Sequence, residues 1–349
     1  MREAGSARDV YANKLKTPAS AGVEGILRLV DEQIDNLPGG RLSLRSIGVA
    51  VPGHVDPAGH VLCAGNLKGW VNVPLRTLLE DRYRAPVFVE RDANCGAIGE
   101  KWRGAAVAMH DFVFLALGTG VGAGLFLDGR VYRGAHYAAG EAGDMSFPTR
   151  RPEKERPPTV SDVVGKRAIK KKVKRDTGEK MSAAEALEQS RWKPRLERAT
   201  RDVVDYLSTS VVAICSLLDP EAILFGGGTS DAGEALLERI RRRVPPQLLL
   251  RARLLLAGLG SDSQLYGALW GAAKAANLPT PDARRATSAN RSSEAQERAA
   301  PSGPAQSMTS SSSGAPAPAP PPLCRLRSLA AAGGSRSRRR QQPAPRLVF

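Results

Sequence analysis

Between residues 21 and 276 the apolar positions alternate between a helical period and short continuous runs, a pattern that predicts an α/β chain. Val23, Ile26, Leu27, Val30 and Ile34 share one helical face within 21–36, and Pro38-Gly39-Gly40 ends that helix. The run 44–51 predicts a buried strand stopped by Pro52-Gly53, after which the polar turn 56–59 sends the chain back towards Val61 and Leu62. A helix over 73–84, a strand over 86–89 and a helix over 93–103 follow. Two further apolar runs, 112–117 and 123–127, flank Gly118-Thr119-Gly120-Val121-Gly122, and Asp128-Gly129 turns the second towards Val131 and Tyr132. Past a proline-rich loop at 148–159, the pattern predicts a helix capped by Ser161 and another opened by the capping-box spacing of Ser182 and Glu185. It then predicts one long amphipathic helix over 196–218, a strand over 222–225 stopped by Gly226-Gly227-Gly228, a helix over 236–244 and a closing helix over 264–276.

The glycine-rich stretch joins strand to strand instead of strand to helix. A Walker loop would end in Gly-Lys-Ser or Gly-Lys-Thr, which does not follow, and the dinucleotide fingerprint would need glycine at position 123, where alanine stands. Glycines there permit positive φ and let backbone N–H groups approach anionic oxygens, with the Thr119 hydroxyl as one more donor. A glycine hairpin that binds nothing is the competing reading.

Candidate chemistry gathers at four other places. Asp92 stands where a strand gives way to a helix, at the strand end where α/β active sites collect, and could take a proton from an alcohol; an ordinary N-cap aspartate is the alternative. Glu141, between Gly140 and Ala142, could accept hydrogen bonds from adjacent sugar hydroxyls or could be a surface turn. Asn66, in Gly65-Asn66-Leu67-Lys68-Gly69-Trp70, offers donor and acceptor on a loop with Trp70 behind it, or forms an Asx turn. Gly226 to Gly228 would let a nucleoside lie on bare backbone, or else serve close helix packing.

Composition narrows the chain further. From Pro281 onward Ala, Pro, Ser, Gly and Arg dominate, so 281–349 is expected to be a disordered tail. That tail holds 11 Arg and 3 acidic residues, half of the formal +16 charge, and leaves +8 for the other 280 residues. The folded part is therefore only mildly basic. The run from Lys166 to Arg175 reads as a solvated helix face, because no aromatic residues interleave it to stack nucleic-acid bases. The 4 cysteines lack CxxC or CxC spacing, which argues against a disulfide framework or a thiolate zinc site. No apolar run of about 18 residues and no signal-peptide segment occurs, so neither membrane insertion nor secretion is expected and a cytoplasmic location fits.

In order, VAVPGHVD, GNLKGW, DANCGAIGE, LGTGVGAGLFLDGRVYRG, AGEAGD, LDPEAILFGGG and LYGALWGAA resemble the ROK family of sugar kinases and sugar-responsive repressors over residues 22–277. The resemblance implies an actin-like, RNase H-like fold of two lobes, 1–108 completed by a closing helix at 262–278, and 109–261. It implies ATP- and Mg²⁺-dependent phosphorylation of a hexose, glucose by default, and a homodimer. Carried onto this chain, it makes Asp92 the general base, and Glu141 and Asn66 sugar-site residues. Arg91 stands where many members have a sugar-contacting asparagine, and Asp144 where zinc-dependent members have a histidine. Gly118, Thr119 and Gly120 match the second phosphate loop, and Gly226, Gly227 and Gly228 the nucleoside site. The family's Cys-x-Cys-Gly cluster is missing, so no zinc is expected, and nothing before Thr17 supplies the family's opening Asp-x-Gly-Gly-Thr loop. The first strands of the N-terminal lobe are thus expected to be missing. A catalytically impaired sugar-binding or regulatory protein is the alternative, although no helix-turn-helix region precedes the core.

Overall fold

The computed structural model describes Leu15 and residues 17–37, 39–147, 156–249, 251–278 and 280. The first half contains α1 (Gly22–Asp35), β1 (Ile47–Val51), β2 (His54–Val55), β3 (Val61–Cys63), β4 (Val71–Val73), α2 (Leu75–Tyr83), β5 (Val87–Arg91) and α3 (Asp92–Arg103). Then come β6 (Phe112–Leu117), β7 (Val121–Leu127), β8 (Arg130–Val131), α4 (Val160–Val164), α5 (Lys166–Thr177), α6 (Ala183–Gln189), α7 (Pro194–Ala199) and α8 (Arg201–Leu218). The chain continues through β9 (Ala222–Gly226), α9 (Glu234–Arg241), α10 (Pro246–Leu249), β10 (Arg253–Leu256) and α11 (Ser263–Ala275).

β1 pairs in parallel with β5, with Val51 opposite Arg91, so both strands end at the same edge. β2, β3 and β4 form an antiparallel meander beside them. The larger sheet has the order β10-β9-β6-β7-β8, parallel across β10, β9 and β6 and antiparallel from β6 to β8. Its strands β6 and β9 are buried along most of their length, as the continuous apolar runs predict.

α3 is wedged between both parts of the molecule by residues without side chains. A Cβ on Gly124 of β7 would lie 2.2 Å from Ala93 O, and one on Gly267 of α11 would lie 1.8 Å from Cys95 O. Such backbone-to-backbone approach admits glycine alone. α11 also covers the small sheet, where a Cβ on Gly48 would meet Ala268 O at 2.0 Å.

Several predicted elements differ in instructive ways. The helix expected over 196–218 is two helices broken at Thr200. Arg239 is 7% exposed and donates to Ser190 Oγ (2.7 Å), Thr200 Oγ1 (2.7 Å) and Glu197 O (3.3 Å). The break adds a carbonyl and a hydroxyl to the Ser190 hydroxyl as acceptors for a buried cation. Thr159, and not Ser161, caps α4, through a reciprocal box with Asp162. β4 occupies the start of the helix expected at 73, and β10 adds an edge strand to β9. The Ser182–Glu185 capping box forms as the spacing predicts. Within the basic run, Lys172 pairs with Asp176 (3.0 Å) and Asp202 (3.5 Å), and Arg175 with Asp176 (2.7 Å). The tail expected at 281–349 and the segment 1–14 lie outside the described residues.

Candidate active site

Asp92 is the first residue of α3, set at the shared strand edge because β5 runs without a loop into the helix. It is not the N-cap, a position held by Arg91; its Oδ1 instead accepts the Ala93 N–H at 2.7 Å. Burial pushes its carboxyl above the ordinary carboxylate range, with the Glu141 charge adding to the rise, while the Arg91 charge and the Ala93 N–H pull the other way. The result is a carboxylate that holds a proton more readily than a surface aspartate and sits at a helix N-terminus.

Arg91, next to Asp92 in the chain, reaches across to Glu141. Its Nη1 donates to Ala139 O at 2.6 Å, its Nη2 to Gly140 O at 3.1 Å, and Nη2 also lies 3.2 Å from Glu141 Oε1. The same oxygen is 2.9 Å from His54 Nε2. Three groups far apart in sequence thus converge beside Asp92. On the other side of β5, Glu90 is 2% exposed and receives Arg91 N–H, Asn94 Nδ2 and the Arg133 guanidinium. Arg91→Ala strips a buried cation from Glu141 and two carbonyls, so unfolding free energy should fall by about 3 kcal/mol in denaturant titration. An unchanged midpoint would refute this account of Arg91.

The turn 118–120 is closed by Gly118 N–H donating to Gly120 O at 2.9 Å. None of Gly118, Gly120 or Gly122 adopts positive φ, so their flexibility is not what the turn needs. Crowding does not demand them either: a Cβ on Gly118 or Gly122 would stay at ordinary contact distances, and one on Gly120 would meet Ser161 Oγ at 3.2 Å. α5 starts against the turn, where Lys166 N–H donates to Gly118 O at 3.1 Å and a Cβ on Gly165 would meet Thr119 O at 2.5 Å. Ser161 Oγ accepts Val121 N–H at 3.0 Å and pins the turn from the far side. Ser161→Ala removes that acceptor and is expected to cost about 1 kcal/mol of stability in denaturant titration; an unchanged midpoint would count against it.

Gly226 to Gly228 ends β9 beside that turn. Packing accounts for two of the three: a Cβ on Gly226 would strike the Phe114 ring at 2.5 Å, and Gly227 holds φ +84 against Leu117 O. Gly228 faces the Lys166 ammonium, which would lie 2.2 Å from a Cβ there.

The structure therefore joins Arg91, Asp92 and Glu141, and sets the two glycine segments next to each other. Asp144 closes the same 3-10 turn as Glu141, with its side chain exposed. Asn66 is exposed in the β3–β4 connection, while Trp70, 1% exposed, belongs to the core beneath. Sequence reasoning missed His54, Lys166 and Ser161 as parts of the site. For His54 the available signal was a lone imidazole between apolar residues directly after Pro52-Gly53.

This arrangement, a mixed sheet with a carboxylate at a strand end and glycine turns beside it, is that of an actin-like α/β fold, and the structural neighbours are sugar kinases of that fold. Residues 5–275 match the ROK family, and the chain belongs to it. A ROK family glucokinase from Streptomyces griseus, solved in complex with glucose and AMPPNP, superposes with a TM-score of 0.61 at 27% identity, covering 74% of this chain and 90% of that one. The chain is 29% identical over 267 residues to the glucokinase of Halalkalibacterium halodurans, covering 69% of this chain and 80% of that one. It is 30% identical over 230 residues to the xylose repressor of Caldicellulosiruptor bescii, covering 61% of this chain and 57% of that one. The chain thus spans little more than half the length of that repressor.

Proposed function

We propose that this protein transfers a phosphoryl group from ATP to a hexose, glucose being the first to test, with Asp92 as general base. The observation that carries the reading is the placement of Asp92: a carboxyl raised by burial, at the strand edge, beside Arg91 and Glu141. A base poised in this way takes a hydroxyl proton as the sugar oxygen bonds to the γ-phosphorus and the bond to ADP breaks. Glu141 would accept sugar hydroxyls, with Arg91 fixing it and with Asn66 and Asp144 on flanking turns. The backbone around Gly118, Thr119 and Gly120 would hold phosphates, and Gly226 to Gly228 the nucleoside. Among the described residues no group of three or more His, Cys, Asp or Glu side chains converges on a metal site. Mg²⁺ would accordingly enter with the nucleotide, ligated mainly by phosphate oxygens and water.

The reading is tested by supplying purified protein with MgATP and a panel of hexoses and following ADP release; no ADP above background with any sugar would overturn it. A second reading, a sugar-binding protein without turnover, is favoured by the Arg91 guanidinium and His54 both engaging Glu141 Oε1, where a sugar would bind. Repressor relatives sharing the domain point the same way. Thermal stabilisation by a hexose in the absence of any ADP release would select it.

A further inference from the structure

His54 opens β2 directly after the Pro52-Gly53 turn. Gly53 holds φ +111 there, and a Cβ on it would lie 2.0 Å from Cys63 O, so the turn is pressed hard onto β3. The imidazole that follows is 7% exposed, with Nε2 2.9 Å from Glu141 Oε1, a residue 87 positions further on. A carboxylate only accepts hydrogen bonds, so Nε2 is the donor of this contact, while Nδ1 is buried and has no partner.

The same Oε1 also receives Arg91 Nη2 at 3.2 Å, and Arg91 is itself anchored on Ala139 O and Gly140 O. Two donors from two separate strands therefore converge on one oxygen of one carboxylate.

Building on the sugar-kinase reading above, we infer that His54 is a positioning residue for sugar recognition. Its Nε2–H and the Arg91 guanidinium grip one oxygen of Glu141, fixing the plane in which the carboxylate meets the hydroxyls of a pyranose. The role acts through Glu141 and so bears on sugar affinity, while the nucleotide is held elsewhere, by the 118–120 and 226–228 segments.

The test is calorimetric titration of D-glucose, then other hexoses, and separately of AMPPNP, into the wild-type chain, His54→Gln and His54→Asn. Asparagine is too short to reach Glu141, whereas glutamine presents an N–H at the imidazole's reach. Sugar Kd is expected to rise about tenfold in His54→Asn, corresponding to one lost orienting hydrogen bond. In His54→Gln it should stay within about threefold of wild type, and the AMPPNP Kd should move less than about twofold in either variant. His54→Leu, which fills the space without a donor, replaces the asparagine variant if that one fails to fold. Wild-type sugar affinity in His54→Asn, equal weakening in His54→Gln, or a matching loss for AMPPNP would each overturn the inference while leaving the kinase reading intact. A wild-type chain that binds AMPPNP but no hexose would overturn both.

Discussion

Asp92→Asn is expected to lower kcat by about 10²- to 10⁴-fold, the range lost with a general base, while raising the melting temperature. The two effects share one cause. Burial raises the Asp92 carboxyl above its ordinary value, so ionising it in the folded protein costs stability that the neutral amide does not. By linkage, the folded form binds the extra proton between the ordinary carboxylate value and the raised one. This group's contribution to stability is therefore present below the unfolded value and lost as pH rises through the folded one. Activity runs the opposite way, because only the ionised carboxylate can accept a proton. The acid limb of kcat should thus lie above the ordinary carboxylate range and vanish in Asp92→Asn, whose residual rate should be flat in pH. A variant that keeps wild-type kcat, or melts lower than wild type, would remove Asp92 from the role of a strained base.

Glu100→Ala is expected to be strongly destabilising. Glu100 is fully buried; its Oε2 accepts Ala105 N–H (2.8 Å) and Gly258 N–H (2.9 Å), and its Oε1 accepts Leu259 N–H (3.0 Å) and the Ser263 hydroxyl (2.7 Å). Removing it leaves three partly buried main-chain N–H groups without their acceptor and returns the Ser263 hydroxyl to Gly260 O, at about 1 kcal/mol or more for each bond lost. A loss of about 4 kcal/mol should lower the melting temperature by roughly 10 °C in a folded unit of this size. Glu100→Gln keeps the shape but sets an amide NH₂ against donors, so it should lose about half as much. A Glu100→Ala melting point within about 2 °C of wild type would show that solvent or rearranged backbone satisfies these groups.

What could be read from the chain alone was whatever depends on neighbours in sequence. α1, β6, β7 and the Ser182–Glu185 box follow from local periodicity and spacing, and Asp92 announced itself as the residue where an apolar strand meets a helix. Groups whose roles are set from a distance stayed hidden. Thr200 breaks a helix because Arg239 lies beneath it, and Ser161 leaves the helix cap to Thr159 while bonding Val121 on another element. Arg91 could be placed near the site by resemblance. Its grip on two carbonyls and a carboxylate, and the convergence of His54 on the same oxygen, needed the chain to be folded. The glycines at 118–122 were legible as a turn, but none adopts left-handed backbone, and a Cβ would be tight at Gly120 alone of the three, against Ser161.

The backbone contacts that seat α3 against β7 and α11 carry a mechanical consequence. Main-chain atoms meeting with no side chains between them leave nothing that can slip, so α3 acts as a fixed anvil on which Asp92 is mounted. Any clamping around a substrate would then fall to segments such as the β2–β4 meander. Amide exchange across α3 should stay slow with or without ligand, while those outer segments gain protection when the cleft is filled.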